Sequence, residues 1–234
     1  MLFRSLLHLS DLHLGKKLNE APLAADQRHI LTQTLAMVDA ERPHAVLVAG
    51  DVYDKPVPSA EAVGLLDMFL TGLAQRGVPV VLISGNHDSA ERLAFGAALL
   101  TARGVHISPP LDAAHPTVTP VRLADEHGTV ALWPLPFIKP AHVRAALPDA
   151  NADTYTDAVR SVLNTLPLNA GERNVLLCHQ YLTGGERTES EEAPIGGLDN
   201  VDAAIFEGFD YVALGHLHRA QRVGRDTVRY AGSP

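Results

Sequence analysis

The sequence is poor in cysteine: Cys178 is its only one in 234 residues. No internal disulfide is possible, which fits a reducing compartment, and the cytoplasm is expected. Cys178 lies in the apolar run Val175–Cys178. It reads as a small core residue on a strand, with a nucleophile beside His179 as the alternative. No run of about 18 apolar residues exists, which excludes a membrane-spanning helix of the usual kind. The opening stretch MLFRSLLHLSDLHL is short, broken by His8, and followed by no small-residue cleavage site, so it reads as a first strand. Excess positive charge is also missing. Nineteen Lys and Arg face 27 Asp and Glu, a net charge of −8. That argues against a globally basic nucleic-acid binder but not against a nuclease, because bound metals add local positive charge that the formal sum omits.

What is present is a regular alternation. Short apolar runs at Ser5–Leu9, Ala45–Ala49, Val78–Ile83, Val130–Trp133, Val175–Cys178 and Tyr211–Leu214 read as buried strands. Helical spacing runs through Leu23–Ala40, with Ile30, Leu31, Leu35 and Val38 on one face. It recurs in Glu61–Gln75, with Val63, Leu66, Phe69, Leu70 and Leu73, and in Glu91–Ala102. Residues 109–120 carry four prolines and read as a loop. The polar segment 184–197 is expected to be a mobile loop, and Thr227–Ala231 a strand leading into a Gly-Ser-Pro turn. The pattern predicts a layered α/β fold of one domain.

Polar clusters follow five of these strands: Asp11-Leu12-His13, Gly50-Asp51 with Asp54, Gly85-Asn86-His87-Asp88, His179, and Gly215-His216-Leu217-His218. Strand ends in α/β sheets hold ligands and metals. Glycines at 50, 85 and 215 let the backbone turn beside them. Two carboxylates, one amide and four imidazoles, with no suitably placed thiolate, suit Mn²⁺, Fe or Zn²⁺ better than a structural zinc cage. Seven ligands exceed what one substrate-binding ion needs. Two ions sharing Asp51 through both carboxylate oxygens would use them. Asp-x-His or His-x-His alone is common and uninformative; the ordered set is not. The other seven histidines, His8, His29, His44, His106, His115, His127 and His142, have no comparable setting.

The set Asp-x-His, Gly-Asp-x-x-Asp, Gly-Asn-His-Asp, His, Gly-His-x-His resembles the signature of the calcineurin-like metallophosphoesterase superfamily. The stretches SDLHLG, VAGDVYD, ISGNHDS, LWPLPFIKP, YVALGHLHRAQ and VRYAGSP resemble, more narrowly, the SbcD family of DNA repair nucleases. The resemblance implies two mixed β-sheets flanked by helices, and a Mn²⁺-dependent DNA exonuclease and endonuclease. It also implies a homodimer and an SMC-like ATPase partner of the SbcC type, with no membrane. It gives one ion to Asp11, His13, Asp51 and His218, and a second to Asp51, Asn86, His179 and His216. His87 would be the catalytic histidine, oriented by Asp88. SbcD proteins continue into a DNA-capping domain and a helical ATPase-binding region, so residues 1–234 are expected to hold the nuclease domain alone.

Dimer contacts are sought on Glu61–Gln75 and Glu91–Ala102, at Leu65, Met68, Phe69, Leu99 and Leu100. Lys16, Lys17, Arg92, Lys139, Arg219 and Arg222 are candidates for DNA backbone contact, with solvated surface charge as the alternative. Cyclic-nucleotide phosphodiesterases, nucleotide pyrophosphatases and protein phosphatases share the ligand set; the SbcD-like surround is what separates them. A catalytically silent scaffold of this fold would be expected to lack ligands.

Overall fold

A computed structural model describes residues 5–188 and 199–234. Most of the expected 184–197 loop lies outside these residues. Among those described, two sheets pack face to face and helices cover their outer faces. The smaller sheet has the order β1 (Leu6–Leu9), β4 (Ala45–Ala49), β5 (Val80–Ile83), β6 (Val105–Ile107) and is wholly parallel. The larger has the order β11 (Gln221–Val223), β12 (Arg225–Tyr230), β10 (Tyr211–Gly215), β9 (Arg173–His179), β8 (Gly128–Pro134), β7 (Val121–Asp125). It is mixed: its two edge pairs are antiparallel and its centre is parallel. The expectation of two mixed sheets therefore holds for one. In the smaller sheet each connection between strands carries helix, which returns the chain to the same end. The remaining pair, β2 (Lys17–Leu18) and β3 (Ala21–Pro22), is a surface hairpin.

The continuous apolar runs are explained by burial on both faces. Along β4 and β5, Leu47, Val81 and Ile83 meet Val130, Leu132, Val175, Leu177 and Ala213 of the other sheet. Their alternates Val46, Val48, Val80 and Leu82 pack outward against Leu31 and Val38 of α1 (Ala24–Glu41) and Leu65, Phe69 and Leu73 of α2 (Ala60–Gln75). On the far side, Trp133, Leu176, Cys178 and Leu214 pack with Val143 of α5 (Pro140–Ala146) and Val159 and Val162 of α6 (Tyr155–Leu163). Three apolar layers separate four structural layers. Cys178 belongs to the third. Burial pushes its thiol well above the usual range, so it is packing and not a nucleophile.

Two sequence expectations need correction. Glu91–Ala102 is not one helix but two short ones, α3 (Ala90–Leu93) and α4 (Ala97–Thr101). The chain breaks at Gly96, whose φ of 74° is left-handed. Leu65 and Phe69 are fully buried against the sheet and cannot make dimer contacts. Val63, placed on the inner face of α2, is 45% exposed instead.

Candidate metal centre

The parallel strands of both sheets end on the same side of the molecule, and the five polar clusters meet there. Backbone bonds tie the loops together. Asp11 N–H donates to Gly50 O (3.0 Å) and His13 N–H to Asp51 O (3.0 Å). His179 Nδ1 crosses between the sheets to Ala49 O at 2.8 Å. A carbonyl only accepts, so Nδ1 carries a proton and Nε2 is turned toward the centre.

The seven candidate ligands come together. His13 Nε2 lies 3.1 Å from His218 Nε2 and 3.7 Å from Asp51 Oδ2. On the other side, Asp51 Oδ2 is 3.4 Å from His179 Nε2. Asn86 Oδ1 then sits 3.1 Å from His179 Nε2 and 2.9 Å from His216 Nδ1. Asp11 groups with His13 and His218, and also with Asp51 and His179. Metal–ligand bonds of about 2.1 Å give donor–donor edges of about 3.0–3.4 Å, so the observed spacings fit donors around cations. Asp11, His13, Asp51 and His179 form a buried floor, whereas Asn86, His87, His216 and His218 make a rim open to solvent. A substrate can reach the rim.

Asp51 Oδ1 accepts the His87 backbone N–H at 2.9 Å, and Oδ2 is the oxygen that approaches the His13, His179 and His87 rings. Oδ2 is thus the better placed of the two for sharing. Asp88 also departs from expectation. Its carboxylate accepts backbone N–H groups of Val52 (3.1 Å), Tyr53 (2.8 Å) and Gly85 (2.9 Å), and it does not hold the His87 ring. That ring is oriented by Asp54, whose carbonyl takes His87 Nδ1–H at 3.1 Å. Asp54 Oδ1 also lies 3.7 Å from His13 Nδ1. Asp88 is the staple between the second and third loops.

The electrostatics favour cations. Burial pushes Asp11 up to about 7, with the Asp51 charge adding to it. Burial opposes the Asp51 charge too, but the His179, His13 and His87 rings hold that carboxyl well below the usual range. Burial pushes His13 and His216 down to about 3, which leaves neutral imidazoles, the form that binds metal. His179 is held up against its burial by Asp51 and Asp11. A cation at its Nε2 would displace that proton.

Sequence reasoning missed the backbone strain. Asp11, His13, Asp51 and His216 all have positive φ, at 54°, 42°, 47° and 107°. Each such residue costs about 1–3 kcal/mol and persists where the surroundings enforce it. The glycines are explained by space as much as by turning. A Cβ on Gly85 would run into the Asp51 carboxylate, and one on Gly215 into Ala49 O and His179 Nδ1. Only Gly50 of the three has positive φ, at 88°. Two aromatic rings beside the centre were also unforeseen: Phe137, 6.2 Å from the His179 ring, and Tyr181, 6.2 Å from His216. Phe137 comes three residues after the end of β8 and Tyr181 two after the end of β9. Of the basic candidates, Lys17, Arg219 and Arg222 pair with Glu20, Glu186 and Asp226.

A family model for calcineurin-like phosphoesterases matches residues 4–220. The chain is 34% identical over 232 residues to the SbcD component of the nuclease SbcCD from Staphylococcus epidermidis, covering 97% of this chain and 60% of that protein. It thus spans 60% of that relative's length, less than two thirds. Among solved structures, GAP50, the anchor in the inner membrane complex of Plasmodium, aligns with a TM-score of 0.51 at 13% identity. That alignment covers 96% of this chain and 69% of GAP50, a likeness of fold alone. With two packed sheets, a strand-end cluster of carboxylate, amide and imidazole donors, and this match over nearly its whole length, the chain belongs to the calcineurin-like phosphoesterase family.

Proposed function

We propose that this chain is the nuclease domain of an SbcD-type DNA repair nuclease, hydrolysing DNA phosphodiesters with two divalent ions, most favourably Mn²⁺. The observation that carries the reading is the convergence of seven donors on one centre, with Asp51 Oδ2 between His13 and His179. Similarity to a protein named as part of a nuclease supports DNA as the substrate over other phosphate esters. A silent scaffold is disfavoured, because all seven donors and His87 are present.

Asp11, His13, Asp51 and His218 would hold one ion; Asp51, Asn86, His179 and His216 the other. Such ions supply Lewis acidity at the phosphate and a water nucleophile of lowered pKa. The chain's own contribution is His87. With Nδ1–H fixed on Asp54 O, Nε2 faces the centre, 4.0 Å from Asp51 Oδ2. As imidazolium, Nε2–H can donate to the leaving alkoxide as the P–O bond breaks, or to a charged phosphate oxygen before that.

An assay with Mn²⁺ or Mg²⁺ on single-stranded, double-stranded and hairpin DNA tests the reading, with bis-p-nitrophenyl phosphate and cyclic nucleotides alongside. DNA cleavage, by exonuclease and endonuclease routes, that is stronger with Mn²⁺ is expected. Turnover of cyclic nucleotides without DNA cleavage would refute the nuclease assignment.

An SbcC-type ATPase partner, a cytoplasmic location and a homodimer complete the proposal. No helix among the described residues is long and apolar enough to cross a membrane. The dimer is supported by an apolar groove of about 990 Å³ between α2 and the α3–α4 segment. Phe95 and Val63 line it and lie exposed, at 86% and 45%, and Leu99 of α4 is 81% exposed outside its lining.

A further inference from the structure

The loop Asp11–Gly15 supplies two candidate ligands, both at positive φ. Asp11, His13 and Gly15 alternate at φ of 54°, 42° and 91°. A loop so strained relaxes unless its polar backbone groups are held. The Leu14 carbonyl accepts Asp54 N–H at 3.1 Å, and the His13 carbonyl accepts Lys16 N–H at 3.0 Å. The carbonyls of Asp11, Leu12 and His13 also meet two side chains, Gln27 and Ser233.

Gln27, in the first turns of α1, makes three bonds to this loop. Its Nε2 donates to His13 O at 2.7 Å and to Leu12 O at 3.4 Å, and its Oε1 accepts Gly15 N–H at 3.0 Å. The helix N-cap, Leu23, contributes no side-chain bond, so this end of α1 directs its polar side chain to the loop and not to its own capping. On the other side, Ser233 Oγ donates to Asp11 O at 2.8 Å, while Ser233 N–H donates to His218 O at 3.1 Å. Ser10 Oγ reaches Gly232 O at 3.3 Å. Gly232 fits because its left-handed turn passes against Ala220 N and His218 O, where a Cβ would collide. Two residues 206 positions apart thus fix the carbonyls of Asp11, Leu12 and His13 and tie that loop to the one bearing His218.

These contacts bear directly on Asp11, His13 and His218. They touch the other set only through Asp11, whose carboxylate accepts the His216 N–H at 3.1 Å and groups with Asp51 and His179. We infer that Gln27 and Ser233 are positioning residues chiefly for one ion, the one assigned to Asp11, His13, Asp51 and His218. The inference rests on the two-ion reading of the centre. It names elements that act on the first ion's affinity more strongly than on the second's.

Gln27→Met is the sharpest variant. It keeps side-chain length and helix propensity, adds no charge and removes all three bonds. Mn²⁺ is titrated calorimetrically into wild type, Gln27→Met, Ser233→Ala and Ser233→Thr, with far-UV circular dichroism to establish folding. Anomalous scattering at limiting Mn²⁺ shows which position empties. In Gln27→Met the ion at Asp11, His13 and His218 is expected to weaken about 10–100-fold, with the other affected much less. Ser233→Ala should weaken the same ion by up to about tenfold, and Ser233→Thr, which keeps the hydroxyl, should restore it. Equal weakening of both ions, or of neither, in a wild type that binds two would overturn the inference and leave the two-ion reading standing. A wild type that binds fewer than two ions would overturn both. If Gln27→Met does not fold, selective weakening in Ser233→Ala decides the question, and its absence refutes it.

Discussion

His87 is held differently from the seven donors around it. Its backbone N–H is fixed on Asp51 Oδ1 and its ring on Asp54 O, yet the ring itself stays 31% exposed at the rim. Removing the ring should therefore spare metal uptake and strike turnover. In His87→Ala, metal content near that of wild type is expected, with hydrolysis lowered about 10²-fold or more. Wild-type rates in that variant would reject the role. A second expectation for a single residue concerns His8, on β1. Burial pushes its pKa down to about 4, against 6.5 unperturbed, and its ring meets Tyr211 edge to face. The unfolded chain binds the proton first, so stability is intact above pH 6.5 and is lost as pH falls toward 4. The share owed to His8 is on the order of 1–3 kcal/mol, reduced by the residue's partial exposure. Chelator-treated His8→Phe, compared with wild type by urea unfolding across that range, should lose correspondingly less. The residues that the fold brings to this centre were legible in the sequence, because strand ends and donor types are local. The partner of His87 was not. Asp88 is next to it in sequence, but hydrogen-bond geometry sends that carboxylate to three backbone N–H groups and leaves the ring to Asp54.

Among the elements, the glycines divide by what surrounds them. Gly85 abuts the Asp51 carboxylate, whereas a methyl group added at Gly64, on the exposed side of α2, would meet nothing within 4 Å. Gly85→Ala should destabilise by about 1–3 kcal/mol and impair metal uptake. Gly64→Ala should stabilise by about 0.4–1 kcal/mol, since only unfolded-state entropy changes. Denaturant unfolding of both measures the contrast, and the same sign for the two would contradict it. The strands buried on both faces were readable from their apolar runs. The edge strand β7 was not, because its pattern of half-buried and exposed residues, Val-Arg-Leu-Ala-Asp, lacks such a run. Neither was the hairpin of β2 and β3, two exposed residues each. The break at Gly96 lay inside a credible helical pattern and is set by one left-handed residue.

The whole molecule is a pair of sheets whose parallel strands end together. Neither sheet makes the centre alone: β1, β4 and β5 of one and β9 and β10 of the other lead to its donors. The sequence carried the order of the clusters, but their meeting depends on contacts such as His179 with Ala49, 130 residues apart. The exposed patch at Phe95 and Leu99 also belongs to the molecule as a unit. If it is a dimer face, sedimentation at micromolar concentration should show a dimer that Phe95→Glu dissociates; wild-type monomer throughout would count against it. The chemistry proposed for this chain depends above all on two ions sharing Asp51, and counting metal decides that. Wild type and Asp51→Ala are equilibrated with Mn²⁺, separated from free ions, and analysed by mass spectrometry for metal per chain. Two ions in wild type and none in Asp51→Ala are predicted; one ion in wild type, or two retained without Asp51, would contradict the shared site.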